Sequence, residues 1–106
     1  MLTRFVAGYN LGPADVVIVD LSTLLPEVLV SDGNGNINLP GSTWNASTDL
    51  ITFSSTRDPH DEIFVIAAAG SNGDEIQVTN REELVAYEPS FSPDGSWIVF
   101  ESHVLD

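Results

Sequence analysis

The stretch at residues 89–102, PSFSPDGSWIVFES, decides the fold class of this chain. Its second half, from Trp97 onward, is rich in β-branched and aromatic residues, which is typical of a strand. Before it, Pro93 restricts φ, and the Asp-Gly pair that follows favours a tight turn. The stretch therefore predicts a β-hairpin in which one strand ends at Ser92 and the next begins at Trp97.

The hairpin belongs to a pattern that occurs twice. Residues 4–50 and 51–97 align in near register, with a one-residue shift in one loop. The aligned positions include Asp15 with Glu62, residues 28–32 with residues 76–80, and Trp44 with Phe91. A period of roughly 40–50 residues with about four short strands is the spacing of β-propeller blades. The sequence therefore predicts one domain of two repeats, with an extra C-terminal strand at 97–103.

All the predicted elements are strands. Segments rich in β-branched and aromatic residues and bounded by turn residues predict strands at 3–9, 15–20, 27–31, 41–45, 49–55, 62–67, 75–79, 88–92 and 97–103. Residues 81–84 are compatible with one helical turn, which Pro89 prevents from extending. The prediction is an all-β protein of four-stranded antiparallel propeller blades, about two blades per chain.

The strand order leaves the predicted propeller open. Labelled a to d from the propeller axis outward, the strands read b-c-d, a-b-c-d and a-b. Two blades cannot close a ring, since propellers have typically about four to eight, and open faces and edges favour association. We expect a homo-oligomer, a six-bladed trimer in preference to a dimer, or else a piece of a longer polypeptide. In the trimer a neighbour's strand at 88–92 would complete the b-c-d sheet. The strand at 97–103 then has no assigned place in a blade.

Composition excludes several classes of function. The chain has 3 Lys plus Arg against 16 Asp plus Glu, a formal net charge of −13, which disfavours nucleic acid and anionic membranes as partners. With no cysteine there is no disulfide, thiolate nucleophile or Cys-based metal site. The sequence also predicts no membrane span and no signal peptide. A soluble protein of undetermined compartment is expected.

The motifs resemble those of a known family. Residues 89–102 closely resemble the Pro-x-aromatic-Ser-Pro-Asp-Gly-x-x-Ile-x-Phe-x-Ser signature of TolB-like propeller repeats. Residues 50–58 resemble that family's second strand and Ser-x-Arg-Asp turn, residues 62–66 its third strand, and residues 77–80 its fourth. Residues 45–49, NASTD, depart from the pattern, because Ser-Pro-Asp-Gly is expected there.

The resemblance implies a fold more firmly than a function. TolB-like propellers serve as protein-interaction scaffolds in the bacterial periplasm, as gating domains beside serine peptidase domains, and as the bodies of sugar lyases. Six-bladed rings are common among them. A fold shared by such different proteins constrains function weakly.

Two polar segments are candidate sites. Arg57, Asp58, His60 and Asp61 concentrate charge in one loop, where His60 with either aspartate would be the group for metal binding or general-base chemistry. The alternative is an ordinary solvated turn at a propeller rim, where partners often bind.

Asp32 and Asn34 place oxygen ligands at alternate positions, like the start of a calcium loop. An EF-hand would need Gly at its sixth position and Glu at its twelfth, where Ile37 and Thr43 stand. A calcium loop of another type stays open.

Nucleophilic catalysis has no support, because the chain lacks a Gly-x-Ser-x-Gly elbow and cysteine. Trp44, Phe91 and Trp97 suggest either a sugar-binding platform or packing between blades, and packing is favoured. We predict a non-enzymatic, self-assembling scaffold for a protein or ligand, with no cofactor and no bound metal. The alternatives are a fragment of a larger propeller enzyme, either a lyase or a serine peptidase, and a cation-dependent binding module.

Overall fold

A computed structural model describes residues 1–5, 13–31, 37–38, 44–57 and 60–105 of the chain. Within these ranges all the regular elements are β-strands, and all strand pairs are antiparallel, which confirms the predicted all-β class. No helix in this part of the chain is long and apolar enough to cross a membrane. The strands are β1 (Leu2–Phe5), β2 (Ala14–Val19), β3 (Pro26–Ser31), β4 (Ile37–Asn38), β5 (Trp44–Asn45), β6 (Leu50–Ser55), β7 (Glu62–Ala67), β8 (Ile76–Gln77), β9 (Leu84–Phe91) and β10 (Ile98–Val104).

The strands form three sheets that follow one another along the chain. The first sheet has the order β1-β2-β3, and the third is the β9-β10 hairpin. In the second sheet β6 pairs with β7 along its whole length, and β7 pairs with β8. The short strands β4 and β5 share the other edge of β6, β4 at its C-terminal end and β5 at its N-terminal end. Together they occupy the position of one inner strand.

The core lies between the first and second sheets. Ile51 and Phe53 project from one face of β6 toward the first sheet, and Thr52 and Ser54 on its opposite face are buried as well. Phe53 is fully buried, and its ring stacks on that of Phe64 with the centroids 5.7 Å apart. The buried cluster consists of Ala14, Val16, Leu29 and Val30 from the first sheet and Ile51, Phe53, Phe64 and Ile66 from the second.

The third sheet packs against the second through β9, which contacts both β6 and β7. A backbone bond fastens the two sheets, because the Ala86 N–H donates to the Asp61 carbonyl at 2.8 Å. The second sheet is therefore covered by the sheets that precede and follow it in sequence. The first and third sheets each have one further face, and no other sheet formed by the described residues packs against it.

The predicted hairpin is present, and its geometry occurs twice. The Ser92 N–H donates to the Trp97 carbonyl at 2.9 Å and closes the turn, and Phe91 pairs with Ile98. In the second sheet Trp44 pairs with Ile51, so each residue of this pair lies 47 positions before its counterpart in the hairpin.

The two equivalent turns pack against each other. The Asn45 side-chain amide donates to the Ser92 carbonyl at 3.0 Å and to the Pro93 carbonyl at 3.2 Å. Its side-chain oxygen also accepts the N–H groups of Ser47 and Thr48, each at 3.0 Å. Asn45 thus closes its own turn and joins it to the next one, which gives a structural reason for the departure of residues 45–49 from the Ser-Pro-Asp-Gly pattern.

Some strand boundaries differ from the predictions. The strand predicted at 88–92 begins earlier, at Leu84. The single turn considered at 81–84 is present, because the Leu84 N–H donates to the Arg81 carbonyl at 3.3 Å, and it leads directly into β9. The reason for the earlier start is tertiary, because pairing with β10 extends to Leu84 opposite Val104. Strand β4 was not predicted, since it follows a polar, glycine-rich segment. Residues 6–9 and 41–43, also predicted as strand, lie outside the described residues.

Two of the aromatic residues predicted to pack between blades are exposed in the single chain. Trp97, at the start of the third sheet, is 76% exposed. Trp44 is also partly exposed, and its indole N–H donates to the Asp49 carboxylate at 2.9 Å. Packing of the Trp97 ring between blades stays a prediction, because it requires a sheet beyond those that the described residues form.

Candidate functional site

A buried carboxylate opens the corresponding strand of each repeat. Asp15 near the start of β2 accepts a hydrogen bond from the Ser31 hydroxyl at 2.7 Å. Glu62, the first residue of β7, likewise accepts a hydrogen bond from the Thr79 hydroxyl. A carboxylate of the third strand therefore binds a hydroxyl at the end of the fourth strand in the first repeat and just after it in the second. The two pairs keep the one-residue offset that the sequence alignment contains.

The second of these carboxylates is the more deeply enclosed. Glu62 is nearly fully buried and also accepts the backbone N–H of Arg81 at 3.1 Å. The Thr79 hydroxyl is itself fixed, because it accepts the Ile63 N–H at 2.9 Å while it donates to Glu62. Both groups are engaged in holding the loop at 78–81, so they form a rigid polar floor and not an acid–base pair free for catalysis.

His60 has a similar structural task. Its Nε2 lies 3.0 Å from the Arg81 carbonyl oxygen, to which an Nε2–H donates, and 3.8 Å from the Glu62 carboxylate. One of the two ring nitrogens of His60 is therefore engaged by the loop at 78–81. Of the two aspartates predicted to work with His60, Asp61 is described, and Asp58 lies outside the described residues.

A pocket of about 170 Å³ opens above this polar floor. Its other wall comes from the third sheet and is mostly apolar. The lining residues are Glu62, Thr79 and Arg81 on one side and Leu84, Ala86, Phe100 and Ser102 on the other. Pockets for small-molecule ligands usually measure about 300–1,000 Å³, so this one has the size for a single side chain of a partner. A shallower groove of about 440 Å³ continues beyond Arg81 along Glu82, Glu83, Leu84 and Val104.

Arg57, a predicted rim residue, is held by the fold. Its guanidinium lies 2.6 Å from the Glu75 carboxylate and 3.2 Å from the Ser55 hydroxyl oxygen. The same group stacks over the Phe64 ring, 4.3 Å from the centroid. These contacts give Arg57 a structural role, because its guanidinium covers the end of the core and the Glu75 carboxylate balances its charge.

Asp61, which lies between His60 and Glu62 in the chain, has an environment that disfavours its charge. Burial raises the pKa of Asp61, and the neighbouring His60 offsets this only in part. Its side-chain charge is therefore held at a cost to stability. The Asp61 backbone carbonyl, in contrast, contributes the bond to Ala86 that fastens the third sheet.

Asp61→Asn is expected to raise the thermal midpoint at pH 7. A carboxyl whose folded pKa lies above its unfolded value destabilises the fold as the pH rises from 3.8 through the folded pKa. The gain should therefore vanish below about pH 3.8. Melting curves across this range test it, with Glu82→Gln as a control that removes one charge from an exposed turn. Equal gains in both variants, or a gain that persists at pH 3, would contradict the assignment.

The other predicted site residues cannot be placed together with these. Asp32 and Asn34 lie outside the described residues, so the loop considered for calcium has no described geometry. Within the described ranges, no group of three or more His, Asp or Glu side chains is arranged to hold a metal ion. The described residues here therefore form a pocket with charged side chains beside it.

Sequence reasoning missed the residues that form the pocket. Glu62 and Thr79 are predicted only as strand residues, and Leu84 lies between two predicted strands. A signal was nevertheless present, because an acidic residue near the start of the third strand and a hydroxyl residue at or just after the end of the fourth occur in both repeats. These pairs are Asp15 with Ser31 and Glu62 with Thr79. Comparison of the chain with protein-family models, with curated proteins and with solved structures finds no match.

Proposed function

We propose that this chain is a non-enzymatic, TolB-like β-propeller module that assembles with copies of itself and uses the resulting rim to bind a partner. The observation that carries the proposal is the recurrence of one hairpin geometry 47 residues apart, together with face-to-face packing of successive sheets. Propellers are built by such repetition, in which each sheet contacts only the sheets before and after it.

The incomplete end sheets support assembly. Among the described residues the first sheet has three strands, with none in the place that β4 and β5 occupy in the second sheet, and the third sheet has two. Their outward faces carry exposed apolar side chains: Leu2 and Val28 on the first sheet, and Trp97 and Val99 on the third. Apolar faces and open strand edges on a protein of this size favour burial against another sheet.

The pocket supports a binding role over a catalytic one. Its polar groups, Glu62 and Thr79, are already hydrogen-bonded to each other and to the loop they support. Leu84, Ala86 and Phe100 leave an apolar wall open for an inserted side chain. An apolar anchor entering a small, preformed pocket is a common basis of protein–protein recognition. The partner proposed for the rim is therefore a protein that presents one exposed apolar residue.

Val99→Lys is expected to break the assembly. Val99 is 68% exposed on the outward face of the third sheet, where a lysine would place a charge in the interface between copies. The control is Val78→Lys, because Val78 is 50% exposed but follows β8 at the outer edge of the second sheet. Light scattering should give a monomer for Val99→Lys and an unchanged oligomer for Val78→Lys. Equal masses for the two variants would contradict the proposed interface.

The alternative is a fragment of a longer propeller protein, in which further repeats of the same polypeptide would cover the two bare faces. It predicts a different result for the unmodified chain: a monomer that binds a hydrophobic dye or aggregates. A discrete oligomer would exclude it as the explanation of the open faces.

A further inference from the structure

The chain holds one strand more than two complete sheets need. With β4 and β5 counted as one interrupted inner strand, the described residues supply nine strands, whereas two four-stranded sheets need eight. The surplus arises because β1 and β10 occupy the same place in their repeats. Each corresponds to β6, the strand that precedes the buried third strand of the complete second sheet.

We propose that the copies are joined by strand exchange: β10 of one copy pairs with β2 of the next copy and displaces that copy's own β1. This inference rests on the proposed self-assembly and specifies how it closes. Each junction then contains β9 and β10 from one copy and β2 and β3 from the next. Every copy contributes two four-stranded sheets in total, so three copies give six.

Strand lengths favour the exchange. Strand β1 has 4 residues and pairs with β2 over four positions, whereas β10 has 7 residues. In the second sheet the equivalent pair, β6 with β7, is matched over six positions. Strand β10 can therefore reproduce the full pairing of the second sheet, which β1 does not reach.

The register of the junction follows from the second sheet. There Thr52 pairs with Val65, and Ser55 pairs with Glu62. The 47-residue equivalence carries these pairs to Val99 opposite Ile18, and to Ser102 opposite Asp15, of the next copy. Ser102 would lie opposite the buried Asp15 carboxylate, as Ser55 lies opposite Glu62. It would take the place of Arg4, whose guanidinium pairs with Asp15 at 2.5 Å within one copy, so the exchange replaces that ion pair with a hydroxyl partner.

The faces of the two strands also match. Phe100 and Ser102 face the second sheet of their own copy, because they line the pocket with Glu62, so Val99 faces outward. Along β2, Val16 and Ile18 face the second sheet of their own copy. Pairing Val99 with Ile18 therefore produces one sheet with a second sheet on either side, and it covers both bare faces at once.

The polar side chains on the outward face bring their own partners. The Tyr87 hydroxyl lies 3.1 Å from the Glu101 carboxylate and 3.1 Å from Nδ1 of His103. The hydroxyl donates to Glu101, and an Nδ1–H of His103 donates to the hydroxyl oxygen. A carboxylate that enters an interface needs such hydrogen bonds, and Glu101 already has one before association.

Disulfide trapping tests the exchange, because the full chain contains no cysteine. The variants are Ile18→Cys with Val99→Cys, and the adjacent pair Val19→Cys with Ile98→Cys, since one of two adjacent antiparallel pairs has the closer Cα spacing. Within one copy these positions lie on the first and third sheets, with the second sheet between them. Stacked sheets are about 10 Å apart, so two positions with a whole sheet between them are too far apart for a disulfide. The bond can therefore form only between copies.

Mild oxidation should convert one of these variants into a covalently closed oligomer on non-reducing electrophoresis. A control variant, Leu2→Cys with Val17→Cys, joins residues that pair when β1 stays on its own β2. A non-covalent oligomer that forms the Leu2–Val17 bond, or that forms no bond between copies, would overturn the exchange and leave the self-assembly standing. A monomeric unmodified chain would overturn both.

Discussion

Replacing Arg57 with leucine is expected to lower the free energy of unfolding by about 2–3 kcal/mol. The substitution keeps apolar contact with the core but removes the guanidinium that lies 2.6 Å from Glu75 and 4.3 Å from the centre of the Phe64 ring. The Glu75 side chain is only 9% exposed, so it would be left as a nearly buried charge without its cation. Urea unfolding of both proteins at pH 7 measures the loss.

The pH dependence distinguishes this ion pair from simple packing. Burial raises the pKa of Glu75, but hydrogen bonds from Arg57 and the backbone outweigh it, and the net pKa lies below the ordinary 4.5. A lowered folded pKa stabilises the fold fully above pH 4.5, and this contribution is lost as the pH falls through the folded pKa. The gap between the wild type and Arg57→Leu should therefore narrow below pH 4.5.

Arg57→Lys is the matched control, because lysine keeps the charge but lacks the planar group that stacks on Phe64 and binds Glu75 through a fixed fork. It should lie between the wild type and Arg57→Leu. An exposed ion pair contributes roughly 0–1 kcal/mol to stability. A loss of about 0.5 kcal/mol or less for Arg57→Leu would therefore contradict the structural role of Arg57.

Gly95→Ala is expected to cost about 2–4 kcal/mol, more than an ordinary turn glycine. Gly95 has φ of +74°, which a β-carbon disfavours. In addition, a β-carbon there would lie 2.6 Å from Cγ2 of Thr48 and 2.8 Å from the Asn45 side-chain oxygen. The substitution would therefore push apart the two turns that join one repeat to the next.

Gly73→Ala provides the comparison. Gly73 has φ of +101°, but no atom outside its immediate neighbours lies within 4 Å of the β-carbon position. It should show only the backbone term, roughly 1 kcal/mol. Thermal or urea unfolding of the two variants isolates the steric term, and equal losses would show that the close approach of the two turns contributes nothing.

The hairpin and the all-β class were predictable because the information is local. Pro93, Asp94 and Gly95 specify a turn, and alternating β-formers on either side specify its strands. The second requirement on Gly95 was not predictable in this way, since it arises from Thr48 and Asn45 on the preceding turn. The sequence motif predicts a glycine at this turn, but only the packing of one repeat on the next explains the full loss of stability expected for Gly95→Ala.

The site was less predictable than the fold. The composition of residues 57–61 predicts a candidate site. In the structure, however, Arg57 is hydrogen-bonded to Glu75, and His60 is hydrogen-bonded to the Arg81 carbonyl. The pocket combines Glu62 with Phe100, which are far apart in sequence and belong to different sheets. Contacts of that kind depend on how the sheets stack, and no local pattern encodes them.

The solution mass of the unmodified chain shows whether its open sheets are closed by copies of itself. The measurement is light scattering behind size exclusion at about 0.1 M and 1 M salt, because a formal charge of −13 on each copy opposes association and salt screens it. We expect a discrete species of two or three times 11.4 kDa, favoured by the higher salt. A species of 11.4 kDa at both salt concentrations would contradict this expectation.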